Sequence, residues 1–437
     1  MEKESLNVPK DTMILGDDCY YDLDTYKTLR NNNAVIIGSP GSSKTRGIVI
    51  PNLLQASGSY VITDPKGNLY DRYGGFLRRM GYDVKRIDFM DHMKSIRYNI
   101  LKKTGTEDDI ATLAHTIVYS NHDVVQQDPY WDEGAKMLLT SILSYFRFHV
   151  PEEEWTFKYI VQMLNNGDFR KGFDESRAPL DILFRELGQK NPDDFAYRKY
   201  RAFRIGADVT MQSIAIVLQT TLSHYDIPSV NRIMGGDDLN FQSIGRRKTA
   251  LFITVSDSDR RLDGIVNIAF TQIMQGLVKY ADLCYDQHLP IPVRFLMDDF
   301  ATNVNITGFP SIIASIRSRW ISTMLILQAE SQLMERYGKD GRTILGSCDT
   351  YVYLGGGDID TAINVSKRAD RSVRSIMEMP LGTGLIFRRG EKMRECRTFP
   401  LEEFERIRMG QKPDALHVAT KSMQKNEKHY DKHMGLV

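Results

Sequence analysis

The sequence predicts an α/β fold, a mostly parallel sheet interrupted by an all-helical segment, and three observations carry that reading. Short apolar runs rich in β-branched residues recur at helix-length intervals. A helical texture without convincing strands fills residues 100–238. A glycine-bearing turn, GSPGSSKT, joins one apolar run to a helix-compatible segment. The chain has 437 residues, and at about 150 residues per domain it holds two to three domains with a real core.

The elements follow in order. AVII at 34–37 is unbroken and apolar, the pattern of a strand covered on both faces, and the turn at 38–45 ends it. YVIT (60–63) and VKRIDF (84–89) are the next strands. The texture then changes: Ala135, Leu138, Leu139, Ile142, Leu143 and Phe146 recur at helical spacing, as do Met211, Ile214, Ala215, Leu218 and Leu222. Strands resume with ALFITV (250–255), VRFLM (293–297), TMLIL (323–327), YVYL (351–354) and GLIF (384–387). The division expected is 1–99 and 239–412 as two parts of one α/β domain, 100–238 as an inserted all-α domain, and 413–437 as a polar, Lys-rich tail that frays.

Composition excludes several classes. Charged residues are 26% and hydrophobic ones 42%, so wholesale disorder is excluded, and 57 Lys plus Arg against 56 Asp plus Glu leave a net charge of +1. No global basic field attracts nucleic acid, and any such site is local. Cys19, Cys284, Cys348 and Cys396 form no CxxC pair and read as free thiols in a reducing compartment. No window reaches the roughly 18 apolar residues of a membrane span. The start, MEKESLNVPKDT, lacks the apolar core of a signal peptide, so a cytosolic location is expected.

Strand, glycine-bearing turn, Lys-Thr and helix is the layout in which backbone N–H groups surround a phosphate chain. Gly38, Ser39, Pro40, Gly41, Ser42, Ser43, Lys44 and Thr45 are therefore the candidate ATP-binding residues, with Lys44 for the β- and γ-phosphates and Thr45 for Mg²⁺. The strict pattern GxxxxGK[ST] fails at one position, where Ser43 replaces glycine. Its Cβ fits if φ is negative and crowds the loop if φ is positive. VRFLM ends in Asp298 and Asp299, the arrangement that holds Mg²⁺ and polarises an attacking water; two acids after a strand equally form a solvated loop. Gln328, after TMLIL, suits a γ-phosphate sensor, and equally a polar strand end. Arg317 and Arg319 lie in SIIASIRSRW; one of them reaching a neighbouring subunit's nucleotide would stabilise transition-state charge, although solvated arginines are commoner. YRKYRAFR (197–204) interleaves Arg198, Lys199, Arg201 and Arg204 with Tyr197, Tyr200 and Phe203. It reads as a nucleic-acid surface or, more simply, as an amphipathic helix that buries its aromatics.

Taken together the motifs resemble the type IV coupling proteins, the TraG-type ATPases of conjugation and type IV secretion, from about Ile14 to Phe404. The signals are GSPGSSKT, VITDPKG (61–67), DPYWDEGAKMLLTSIL (128–143), KTALFITVSDSD (248–259), FLMDDFATN (295–303), LILQAESQL (325–333) and CDTYVYLGGGDIDTA (348–362), in the family's order. The resemblance implies a RecA-like P-loop domain with a mostly parallel twisted sheet and an inserted all-α domain. It also implies hexameric assembly and ATP-driven transfer of relaxase-bound single-stranded DNA, or of protein, into a secretion channel at the cytoplasmic side of the cell membrane. By position, Lys44 and Thr45 match its phosphate and magnesium residues, Asp298 and Asp299 its Walker B acids, Gln328 its glutamine and Arg319 its trans-acting arginine. Asp64 and Lys66 match the end of its second strand, near the nucleotide. The departures are Ser43 for glycine, Asp299 for glutamate and Asn68 for a frequent acid. They support a second reading, a nucleotide-binding cargo receptor or scaffold with little hydrolysis. An FtsK-like double-strand translocase is a third, against which the helical insert and the 348–362 segment argue. Members usually carry an N-terminal membrane segment, and none is read here.

Overall fold

The computed structural model describes residues 6–119, 129–167, 169, 178–206, 208–256, 261–300 and 304–410. Among them the strands are β1 (Thr12–Ile14), β2 (Tyr20–Asp22), β3 (Ala34–Ile37), β4 (Ser59–Pro65), β5 (Asp83–Asp88), β6 (Thr249–Val255), β7 (Val293–Met297), β8 (Ile321–Leu327), β9 (Thr350–Tyr353), β10 (Thr383–Arg388) and β11 (Arg394–Arg397). The chain forms two compact units. One comprises Met1–Arg30, Ile36–Ser57 and Thr350–Val437, the other Asn31–Val35 and Gly58–Asp349, so β3 contributes residues to both.

In the first unit the strand order is β11-β10-β9-β3, with a separate two-stranded ribbon of β1 and β2. β10 runs antiparallel to both neighbours, Leu385 facing Tyr353 and Gly384 facing Cys396. This corrects the expectation of a parallel strand at 384–387. For the β10–β11 pair the reason is the connection: a tight turn through Gly390, at φ +76°, is too short for the crossover that a parallel pair needs. β1, β2 and β11 are absent from the sequence reading because the first two are only three residues long and β11, RECR, is mostly exposed and carries no apolar run.

In the second unit the order is β3-β8-β7-β4-β6-β5, and the five strands from β8 to β5 pair in parallel, with Tyr60 of β4 opposite both Ala250 and Arg294. Every residue of β6 and β7 is buried, as expected for parallel strands covered on both faces. That is why the unbroken runs ALFITV and VRFLM were legible as strands.

Between β5 and β6 the described residues contain helices and no strand. Helix Pro129–His149 buries Ala135, Leu138, Leu139, Ile142, Leu143 and Phe146 along one stripe, and helix Asp208–Ser223 buries Met211, Ile214, Ala215, Leu218 and Leu222. The larger of these side chains each stabilise the fold by about 1.5–3 kcal/mol when buried. The two helices cross at Gly134, where an added Cβ would lie 2.4 Å from Ile214 Cδ1. No helix among the described residues is long and apolar enough to cross a membrane. The tail at 413–437 lies outside the described residues.

Candidate functional site

In the first unit the buried strand β3 delivers the chain to Gly38, and residues 39–45 turn back on it. A Cβ at Gly38 would lie 2.3 Å from Ser42 Oγ and 3.1 Å from Leu354 Cβ, so glycine lets the turn close. Ser39 N donates to Gly355 O at 3.0 Å, and Ser42 N to Ser39 O at 3.1 Å. Gly41, at φ +80°, faces open space. Lys44 is 8% exposed, and its Nζ donates to Gly38 O at 2.6 Å and to Ser39 O at 3.0 Å. The buried Ser42 Oγ has no hydrogen-bond partner within the protein.

Thr45 opens a π-turn, Thr45–Val49, closed by Ile50 N on Thr45 O, and the α-helix Ile50–Leu54 follows. Pro51 has no N–H with which to continue an α pattern, so the wider turn is the local solution. Ser43 sits at φ +64°, the case in which its Cβ costs energy and glycine would not. An orphaned buried hydroxyl, an open glycine and a buried ammonium on one turn fit a phosphate chain. Thr45, half-buried at the helix start, carries a hydroxyl of the kind that ligates Mg²⁺.

In the second unit three neighbouring parallel strands, β8, β7 and β4, end on one edge of the sheet. Gln328, Asp298 and Asp64 stand at or just past their carboxyl ends, where open α/β sheets carry their chemistry. Asp298 is 5% exposed, and its carbonyl accepts from Thr63 Oγ1 at 2.9 Å, which ties β7 to β4. Asp299 is half-buried at φ +50°. Aspartate tolerates this left-handed region better than longer side chains, which gives the shorter acid a backbone reason to be there. Gln328 is exposed, and its backbone N donates to Gln332 Oε1 at 2.8 Å.

Asp64 does something the sequence did not announce. Fully buried, it accepts from Leu69 N at 2.9 Å and Tyr70 N at 2.8 Å, capping helix Asn68–Arg79. Burial raises its pKa to about 6, against the pull of those two N–H groups. Lys66 is exposed at φ +73°.

Arg319 ends the 3-10 turn Ile316–Arg319 and grips Asp282 with two nitrogens, Nε to Oδ1 at 2.6 Å and Nη2 to Oδ2 at 3.1 Å, while Nη1 donates to Ser315 O at 2.9 Å. Arg317, on the same turn, is half-buried. Asp282 was missed because nothing local links residues 37 apart. Gly355, whose carbonyl anchors the turn at 38–45, had a signal in the GGGD run.

YRKYRAFR forms helix Phe195–Phe203 with Tyr200 and Phe203 buried. Tyr200 stacks on Phe184 at 4.1 Å and 11° and donates its hydroxyl to Asp181 at 2.7 Å. Arg204 pairs with the same carboxylate through Nε at 2.6 Å. These aromatics are core, and Arg198 and Arg201 remain exposed.

The family model described as Type IV secretory system Conjugative DNA transfer matches residues 2–375. The chain is 21% identical over 346 residues to Protein VirD4 of Rhizobium radiobacter, covering 77% of this chain and 47% of that protein. It is 24% identical over 348 residues to Conjugal transfer protein TraG of Escherichia coli, covering 75% and 53%. The chain therefore spans about half the length of the curated relatives it matches. Among solved structures it is similar to bacterial conjugative coupling protein TrwBdeltaN70 in complex with sulphate, with a TM-score of 0.66, 14% identity and coverage of 91% of this chain and 90% of that one. TrwB in complex with the non-hydrolysable ATP analogue ADPNP gives a TM-score of 0.64 at 14% identity over 91% and 90%. At such identities the likeness is one of fold.

Proposed function

Since this chain belongs to the type IV secretory system conjugative DNA transfer family, we propose that it is the ATP-driven coupling protein of such an apparatus. It recruits relaxase-bound single-stranded DNA, or protein, and drives its transfer into the secretion channel at the cytoplasmic side of the membrane. The observation that carries the nucleotide part is the phosphate loop: buried Lys44 and unpartnered Ser42 Oγ on a turn that glycine alone can close.

In this proposal Gly38, Ser39, Pro40, Gly41, Ser42, Ser43, Lys44 and Thr45 bind the phosphates of ATP. Lys44 neutralises the β- and γ-phosphates, and Thr45 and Asp298 hold Mg²⁺. When bound, Mg²⁺ supplies charge that offsets the build-up on the transferred phosphoryl group. Asp299 takes the proton of the attacking water, Gln328 orients it, and Arg319 of the adjacent subunit in a hexamer stabilises the developing negative charge. Catalysis of this kind is mostly positioning, so turnover requires an assembled ring.

Steady-state ATP hydrolysis by wild type and Lys44→Ala tests this, with and without single-stranded DNA, over protein concentrations that span assembly. Turnover that needs Lys44, climbs with concentration and rises with DNA is expected. A monomeric preparation as fast as a ring sinks the motor. The strained φ of Ser43 favours a second reading, a nucleotide-gated receptor with little hydrolysis. Lys44-dependent ATP binding with background turnover under every condition is its signature.

A further inference from the structure

Two of the four cysteines meet inside the first unit, although they come from opposite ends of the chain. Cys19 closes the turn between β1 and β2, with Leu15 N donating to Cys19 O at 3.0 Å and Cys19 N to Gly16 O at 3.2 Å. Cys396 is the one buried residue of the sheet-edge strand β11. Its backbone neighbours are sewn to the same turn: Asp17 N donates to Arg397 O at 2.9 Å, and Arg394 Nη2 to Asp18 O at 2.7 Å. Cys396 Sγ lies 3.7 Å from the carbonyl oxygen of Leu15, the residue whose N–H is bonded to Cys19 O.

Glycines make the room. A Cβ on Gly16 would lie 2.9 Å from Cys396 Cβ and 3.0 Å from its Sγ, and one on Gly384, directly across the β10–β11 ladder, 3.1 Å from that Sγ. Cys284 and Cys348 have other arrangements, each donating to the carbonyl four residues earlier, Tyr280 O and Ile344 O.

We propose that Cys19 and Cys396 are a redox site, forming a reversible disulfide that staples the β1–β2 ribbon to the edge strand β11. The oxidant is a low-molecular-weight disulfide such as oxidised glutathione. Cys19 loses its proton to solvent and attacks one glutathione sulfur, breaking that S–S bond and expelling one glutathione thiolate. Cys396, deprotonated in turn, attacks the Cys19 sulfur of the mixed disulfide and expels the glutathione bound there. The protein gives up two hydrogens and two electrons, and one oxidised glutathione becomes two thiols.

The order of attack follows from the local charges. The Cys396 hydrogen bond and the Arg394 guanidinium draw the Cys19 thiol below its ordinary pKa despite burial, while Cys396 is pushed up. Oxidation would also stiffen the support of the phosphate loop. Asn52, on the helix after that loop, accepts from Ile14 N at 3.1 Å and donates to Ile14 O at 2.7 Å, so β1 is the brace for that helix.

The full chain is equilibrated in glutathione buffers of stepped oxidised-to-reduced ratio, acid-quenched, alkylated and mapped by mass spectrometry without reduction. The expected result is one linked pair, Cys19 with Cys396, an intact mass lower by about 2 Da, and Cys284 and Cys348 still alkylated. The melting temperature rises by about 5 °C on oxidation, a rise that Cys19→Ser and Cys396→Ser each cancel. If a variant fails to fold, the wild-type map decides alone. Both thiols still alkylated at a ratio that fully oxidises an accessible reference dithiol overturns the proposal, and so does a stable glutathione adduct without the link, or a different pair.

Discussion

Ser43 holds φ at +64°, where a Cβ typically costs about 1–2 kcal/mol. Glycine would remove that strain and give back part of the gain through its freer unfolded chain. Ser43→Gly is therefore expected to stabilise the protein by up to about 1 kcal/mol, read as a higher denaturant midpoint at unchanged slope. Asp64 makes a second residue-scale prediction, and here the sign matters. Its folded pKa, about 6, lies above the ordinary aspartate value of 3.8, so the folded state favours the protonated carboxyl. The stabilisation is full below about pH 4 and lost as pH rises through about 6. A shift of that size corresponds to roughly 3 kcal/mol. The stability difference between wild type and Asp64→Asn, which cannot titrate, should move in favour of wild type as pH falls from 7 to 4. A flat difference would mean that Asp64 ionises normally. Of these two residues, Ser43 was visible as a departure from a local pattern. The capping role of Asp64 was not, because it depends on how sharply the chain turns through Lys66 and Gly67, both at positive φ.

Elements were legible wherever burial on both faces or along one stripe left a long signal. β3 to β10 all coincide with apolar runs read in advance, within two residues at the ends. Helices Pro129–His149 and Asp208–Ser223 bury the side chains whose spacing announced them. What spacing could not reveal is which helices touch. Gly134 sits at the crossing of these two, and Gly134→Ala forces its new methyl against Ile214, whose nearest carbon would be 2.4 Å away. Better intrinsic helix propensity offsets only part of that clash, so a net loss of about 1–2 kcal/mol is expected by denaturant unfolding. Adding Ile214→Val, which shortens that side chain, should recover part of it. Strand direction was equally hidden: β10 reads as apolar as the parallel strands of the sheet, and only the tight return to β11 sets it antiparallel to that strand.

At the scale of the whole molecule, Arg319 is the residue whose proposed role needs another copy of the chain. Its two-point grip on Asp282 must be released before it can reach a neighbour's phosphate. Arg319→Ala should keep nucleotide affinity and lose on the order of 10³ in turnover. Mixing it with Lys44→Ala subunits should restore part of the activity, because each variant supplies what the other lacks; no recovery in mixed rings would place the essential arginine elsewhere. The aromatics of YRKYRAFR belong to the same lesson: the sequence favours a buried face over a nucleic-acid surface, and the contacts of Tyr200 with Phe184 and Asp181 are what bury it. By itself the sequence determined the strands β3 to β10, the two long helices of the insert, the glycine-bearing turn at 38–45 and the family. Each of these is written in contiguous residues, through apolar period, glycine position and motif order. Tertiary structure alone decided the partner of Arg319, the cap made by Asp64, the direction of β10 and the meeting of Cys19 with Cys396. Those depend on which distant segments share space, and the side-chain pattern of either segment alone does not encode its partner.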